Sequence, residues 1–286
     1  MKPQLALHLY KEEEKKNPKL DDEYIIFQKY DGWYGYFDFG VEGIFSRAGR
    51  RIPSLDHLAK VIKLAADDAG IDQGRLIFEI LVEGAPEFHE LNGILNRKSE
   101  QAKGAYLMVH DLVGPLDETT VDRLFEAVLV VDLLALDAVR FAKPLCTTSY
   151  IPRIKTVCNH LWSLGCEGII GKAAQSYYQP GKRNSSLIKI KEECTAELLV
   201  TGMLAGDKSG KYHSTLGTLT CVDKAGVVHN ISGMSDEQRD KWYLELEPIV
   251  GKVIEIKAMK KLPDGTYREP RFKAIRHDKA GINDCD

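Results

Sequence analysis

A chain of 286 residues is long enough for one large or two ordinary domains, each burying its own core. Its 44% hydrophobic and 28% charged content is that of a globular protein in water, and no stretch reaches the roughly 20 apolar residues of a membrane span. The formal net charge of −3 excludes a uniformly basic coat but not segregated charge: the start is acidic at Glu12 to Glu14, while residues 251–279 carry nine Lys or Arg against four Asp or Glu.

The longest apolar run, residues 127–136, is interrupted by Asp132, so no membrane partner is expected. The start, Met1-Lys2-Pro3 leading to Lys11, lacks the apolar centre and cleavage site of a signal peptide, which makes a cytoplasmic location the expectation. Six cysteines without a Cys-x-x-Cys pair suggest neither a zinc site nor a disulfide framework, and free buried thiols are expected.

Along the chain, Tyr24-Ile25-Ile26-Phe27 is a β-prone run ending at Lys29, and Asp31-Gly32 supplies a turn before residues 34–39 resume strand character. Residues 55–66 place apolar side chains at 55, 58, 59, 62, 65 and 66, a helical spacing entered through Pro53-Ser54. Residues 76–82 and 105–109 read as buried strands; helices are expected over residues 120–134 and 151–164, then a strand pair at 168–172 and 186–191. Beyond Lys191 the pattern changes to short strands at 197–203, 216–222, 226–231 and 253–259, with one helix over 236–246. That pattern fits a small barrel of the OB type, with the boundary placed at Glu192: domains 1–192 and 193–286.

Five motifs occur in order: Lys29-Tyr30-Asp31-Gly32; Ser46-Arg47-Ala48-Gly49; Glu167-Gly168-Ile169-Ile170-Gly171-Lys172; Leu187-Ile188-Lys189-Ile190-Lys191; and Arg268-Glu269-Pro270-Arg271-Phe272 with Arg276-His277-Asp278-Lys279. A lysine attacks phosphorus only when deprotonated, which neighbouring cations promote. Lys189 and Lys191, two apart on a strand, point to one face and both reach one phosphate. Glu79 interrupts an apolar strand, where a charge needs a partner or a cation, and Glu83 rivals it by alternation.

The ordered set resembles the ATP-dependent DNA ligases of the covalent nucleotidyltransferase superfamily, in the minimal two-domain form of viruses and bacteriophages. The resemblance covers residues 28 to 279 and implies an α+β fold: a nucleotidyltransferase (adenylation) domain of antiparallel sheets flanked by helices, followed by an OB-fold β-barrel, with no separate DNA-binding domain expected. It implies ATP and Mg²⁺ or Mn²⁺, AMP carried covalently on Lys29, and transfer of that AMP to the 5′-phosphate of a nick before sealing. Carried over, Lys29 is the nucleophile with Asp31 beside it, and Lys189 and Lys191 grip the α-phosphate. Gln28, Tyr34, Arg47, Glu79, His110 and Lys172 line the nucleotide site; Glu79 holds ribose or metal, and Glu167 metal. Arg271, Arg276, Asp278 and Lys279 orient pyrophosphate. Nicked duplex DNA is the expected partner, RNA-containing strands are left open, and a monomer is expected.

Three positions depart from the family pattern: Tyr34 stands where arginine is usual, His110 where an aromatic stacks on adenine, and Phe78 where glycine commonly precedes the glutamate. A tyrosine bonds or stacks but supplies no cation. For His110, a core histidine bonded to Asp111 is the alternative. Competing functions are an RNA ligase or capping nucleotidyltransferase, which share the lysine chemistry, and a non-catalytic nucleic-acid-binding OB module.

Overall fold

The computed structural model describes residues 2–9, 22–85, 88–114 and 117–285. The acidic stretch Glu12 to Glu14 lies outside them. Two compact units follow one another, Met1–Lys191 and Glu192–Asp286.

The first unit contains strands β1 (Leu5–His8), β2 (Tyr24–Lys29), β3 (Trp33–Asp38) and β4 (Val41–Ser46), helix α1 (Asp56–Asp68), β5 (Arg75–Val82), α2 (Phe88–Leu95), β6 (Ala105–Val113), α3 (Thr120–Leu134), β7 (Val139–Phe141), β8 (Cys146–Thr148), α4 (Ile151–Ser163), β9 (Gly168–Ala173) and β10 (Arg183–Lys191). They build two five-stranded sheets, ordered β1-β10-β9-β2-β8 and β4-β3-β5-β6-β7. Most pairings are antiparallel, as expected, but β1 pairs with β10 and β6 with β7 in parallel.

Period-two alternation gives each sheet a helix-covered face and an opposite face. In the first sheet Ile26, Ile169, Ile188 and Ile190 pack against Ile154, Cys158 and Leu161 of α4. In the second, Phe78, Ile80, Leu107 and Val109 join a larger core with Leu58 and Ile62 of α1 and Ala127, Val131 and Leu134 of α3. Each such Leu, Ile or Phe contributes about 1.5–3 kcal/mol on full burial. Thr119 and Asp122 form a reciprocal capping box that starts α3.

The second unit holds β11 (Cys194–Ala205), β12 (Leu216–Val222), β13 (Val228–Ile231), α5 (Asp236–Tyr243), β14 (Val253–Ala258) and β15 (Arg271–Ile275) in one sheet ordered β13-β12-β11-β14-β15. Ser232 bridges Arg271, and the Phe272 N–H donates to the Ser232 carbonyl at 2.7 Å, so the edge strands meet and the sheet closes into a barrel. Leu198, Leu219, Ile254 and Trp242 fill it. All six cysteines are free; Cys158, Cys221 and Cys285 are buried, but Cys146, Cys166 and Cys194 are only partly so, which corrects the expectation of uniformly buried thiols. Among the described residues no helix is long and apolar enough to cross a membrane.

Candidate active site

Lys29 ends β2 directly opposite Gly168 of β9, and this register brings the preceding Glu167 to the lysine. Lys29 Nζ lies 2.5 Å from Glu167 Oε2, with the carboxylate side chain 9% exposed. The indole N–H of Trp162 donates to the Glu167 carbonyl at 3.1 Å and fixes the segment. Gly168 has φ +150°, and a Cβ there would lie 2.1 Å from the Ile190 carbonyl oxygen. Any side chain would push β10 away and with it Lys189. The glycine of the first tetrad is required on similar grounds, because a Cβ on Gly32 would sit 2.7 Å from the Ile80 carbonyl of β5.

Those strand faces enclose a cleft of about 300 Å³ within the first unit, between its two sheets. Of the residues expected at the nucleotide, Gln28, Lys29, Tyr34, Arg47, Glu79, His110, Lys172 and Lys189 all line it. Asp31, Glu167 and Lys191 do not, though Glu167 and Asp31 act electrostatically on Glu79, and Lys191 on Lys189. Burial, then Lys191 and Lys29, press the Lys189 ammonium below the usual lysine range. Arg47 stands on a tight turn in which the Gly49 N–H donates to the Ser46 carbonyl at 2.8 Å.

Glu79 faces the cleft from β5, beside its cross-strand neighbour Tyr34. Burial raises its pKa to about 7; Lys29 opposes the rise, while Glu167 and Asp31 add to it. The rival Glu83 falls past the end of β5, exposed and paired with Arg140 at 2.9 Å, because the strand stops at Val82 and its alternation stops with it. Since the folded chain holds the Glu79 proton more tightly than the unfolded chain, stability falls as pH rises from about 4.5 to about 7. Glu79→Gln should flatten that decline, gaining about 1–3 kcal/mol over wild type above pH ~7 in urea denaturation and little below pH ~5.

Phe78 fits because its direct cross-strand partner is Gly35, where a Cβ would lie 2.8 Å from the Phe78 ring. His110 occupies a bulge: Phe78 pairs with Val109 and Ile77 with Asp111, leaving His110 unopposed and bent into the cleft. Burial, then Lys172, lowers its pKa to about 3, so the imidazole is neutral at pH 7. The Tyr34 ring lies 6.4 Å from it, tilted by 51°. Burial and the adjoining Tyr178, to which its hydroxyl is hydrogen-bonded, raise the Tyr34 pKa.

Asp111 does not bond the His110 ring. Its carboxylate accepts from Arg123 Nε at 2.9 Å and from Lys172 Nζ at 2.7 Å, and all three side chains are at most 6% exposed. Burial alone would raise the Asp111 pKa, but Lys172 and Arg123 outweigh it and hold the carboxyl at about 2. Lys172 also donates to the His110 carbonyl, so its ammonium belongs to the cleft floor and not to an open phosphate site. The sequence reading missed Arg123, although an arginine on the apolar stripe of α3, next to Leu124 and one turn before Ala127, signals a buried anion.

In the second unit Arg276 and Lys279 converge on Glu197, Lys279 at 3.4 Å, and Arg276 also grips Asp278 at 2.7 Å. Arg276 holds the Asp278 carboxyl at about 2. Arg271 stands apart from that group, exposed and 3.2 Å from Glu269.

The sequence model of the ATP dependent DNA ligase domain matches residues 3–191, and that of the DNA ligase OB-like domain matches residues 209–276. A DNA ligase of Methanosphaerula palustris is 28% identical over 290 residues, covering 88% of this chain and 50% of the relative, so the chain spans about half the length of that curated relative. A solved Lig E DNA ligase superposes with a TM-score of 0.75 at 20% identity over 96% of this chain and 99% of the other. A Chlorella virus DNA ligase-adenylate gives 0.50 at 23% identity over 96% and 99%. These structural likenesses concern the fold, whereas the sequence match spans more than half of the chain, which therefore belongs to the ATP-dependent DNA ligase family.

Proposed function

We propose that the protein seals 5′-phosphate/3′-hydroxyl nicks in duplex DNA with ATP, through AMP carried on Lys29. The observation that carries this reading is Lys29 Nζ within 2.5 Å of Glu167, in the cleft shared with Glu79 and Lys189 and inside the segment matched to the ligase domain. In the first step the Lys29 amine forms a bond to the α-phosphorus while the bond to the bridging oxygen breaks and pyrophosphate leaves. Glu167 accepts the hydrogen bond of Nζ and is placed to take its proton. Lys189 offsets charge building on the α-phosphate, and His110, neutral and unopposed in its strand, offers a flat face to the base.

A divalent ion fits this donor set. The described residues contain no cluster of three or more metal-binding side chains, but Mg²⁺ is held by one or two carboxylates together with substrate phosphates. Glu167 and Glu79, the first of which raises the cost of charge on the second, would hold Mg²⁺ or Mn²⁺, which would neutralise phosphate charge. Residues 1–192 serve as the adenylation domain and 193–286 as the OB domain in this reading.

The test is incubation with α-labelled ATP or GTP and Mg²⁺. A covalent label from ATP, released with pyrophosphate, is expected; labelling from GTP alone, or none from ATP, would overturn the reading. Arg271, exposed and 3.2 Å from Glu269, is assigned to pyrophosphate. Arg271→Ala should therefore cut adenylation by at least about tenfold more than sealing of a pre-adenylated nick. Equal loss in the two assays would remove that role.

A further inference from the structure

Helix α3 has two unlike faces. Its inner face buries Arg123, Leu124, Ala127, Val131 and Leu134. On its outer face Val121, Phe125, Leu129 and Leu133 are 42%, 65%, 45% and 60% exposed. Scattered exposed leucines are ordinary, but four large apolar side chains spaced four apart form one continuous ridge, about 18 Å long.

The ridge runs between acids. Asp122 and Glu126 follow its first two members on one flank, and Asp132 precedes its last on the other; all three are exposed. None forms an ion pair among the described residues, and the one cation of the helix, Arg123, is turned inward.

We propose that this face docks a basic amphipathic helix of a partner protein. A ridge of i, i+4 side chains packs into the groove between like ridges of a second helix, at a crossing angle near −50°. Lysines or arginines flanking the partner's apolar stripe then meet Asp122, Glu126 and Asp132. The same acids repel nucleic acid and anionic lipid, and a second copy of this chain would set like charges against one another. The four ridge residues do not line the nucleotide cleft, which Thr120 and Arg123 reach from the opposite face of the helix, so substitutions on the ridge can be read apart from adenylation.

The probe is a fluorescein-labelled 18-residue helical peptide with leucines at i, i+4 spacing flanked by lysines, read by anisotropy against the whole protein. Its counterpart carries glutamate for lysine. Wild type should bind the lysine peptide and discriminate against the glutamate peptide by at least about tenfold. Phe125→Ser and Leu129→Ser should each weaken binding at least about tenfold with ATP-dependent labelling of Lys29 unchanged. Glu126→Lys with Asp132→Lys should reverse the peptide preference. Equal binding by wild type and both serine variants would overturn the proposal. So would an unreversed preference, binding to phosphatidylglycerol vesicles that Phe125→Ser abolishes, or self-association in sedimentation that the same variant removes.

Discussion

Lys29→Arg should yield no covalent AMP adduct, a loss of more than about a thousandfold, the scale at which removal of a nucleophile is read. Arginine preserves the positive charge and can still bond Glu167, so folding and thermal midpoint should change little. It stays protonated at any accessible pH and presents no lone pair to phosphorus. The variant therefore separates the charge of Lys29 from its chemistry. Sealing of a pre-adenylated nick, which needs no attack by this amine, should persist. An adduct formed by the variant, mapped elsewhere in the chain, would displace Lys29 from the proposed role.

Asp111→Asn should be the most destabilising single change in the cleft. It leaves Arg123 and Lys172, both almost fully buried, without their shared anion, and stranding a buried charge costs about 3–5 kcal/mol. That is a large part of the 5–15 kcal/mol typical of a whole domain, of which roughly 1 kcal/mol is all a surface pair such as Lys63 with Asp67 supplies. Because the carboxyl is held at about 2 in the fold against 3.8 as its ordinary value, its stabilisation is complete above pH ~4 and fades as pH falls toward ~2. The asparagine variant should lack that acid-dependent loss in urea denaturation. A cost under about 1 kcal/mol would mean that the triad is not a unit.

Several elements were legible because their signals are local. Residues 55–66 announced α1 by apolar spacing, and Lys29 fell at the end of β2 because Tyr24 to Phe27 is β-prone and Asp31-Gly32 breaks it. Others take their structure from distant partners. Leu5–His8 is four residues whose strand exists through pairing with β10, nearly the whole unit away in sequence. Val41–Ser46 carries Gly43 in a positive-φ conformation, which masks its strand character. Arg271–Ile275 was read for its cations, although it also closes the barrel. In the cleft, the ordered motifs contain Lys29, Arg47, Lys172 and Lys189 and the resemblance added Gln28, Tyr34, Glu79 and His110, while the Lys172–Asp111–Arg123 triad joins side chains from three elements that no spacing rule connects.

The bulge at His110 has a bearing on how this cleft can change over evolutionary time. A residue in a regular ladder answers to the side chain across from it, so altering one asks for an answering change in the other. His110 answers to none in its ladder, since Val109 and Asp111 on either side take up the pairing with β5. The position can thus take a ring of another size without an answering change across the ladder.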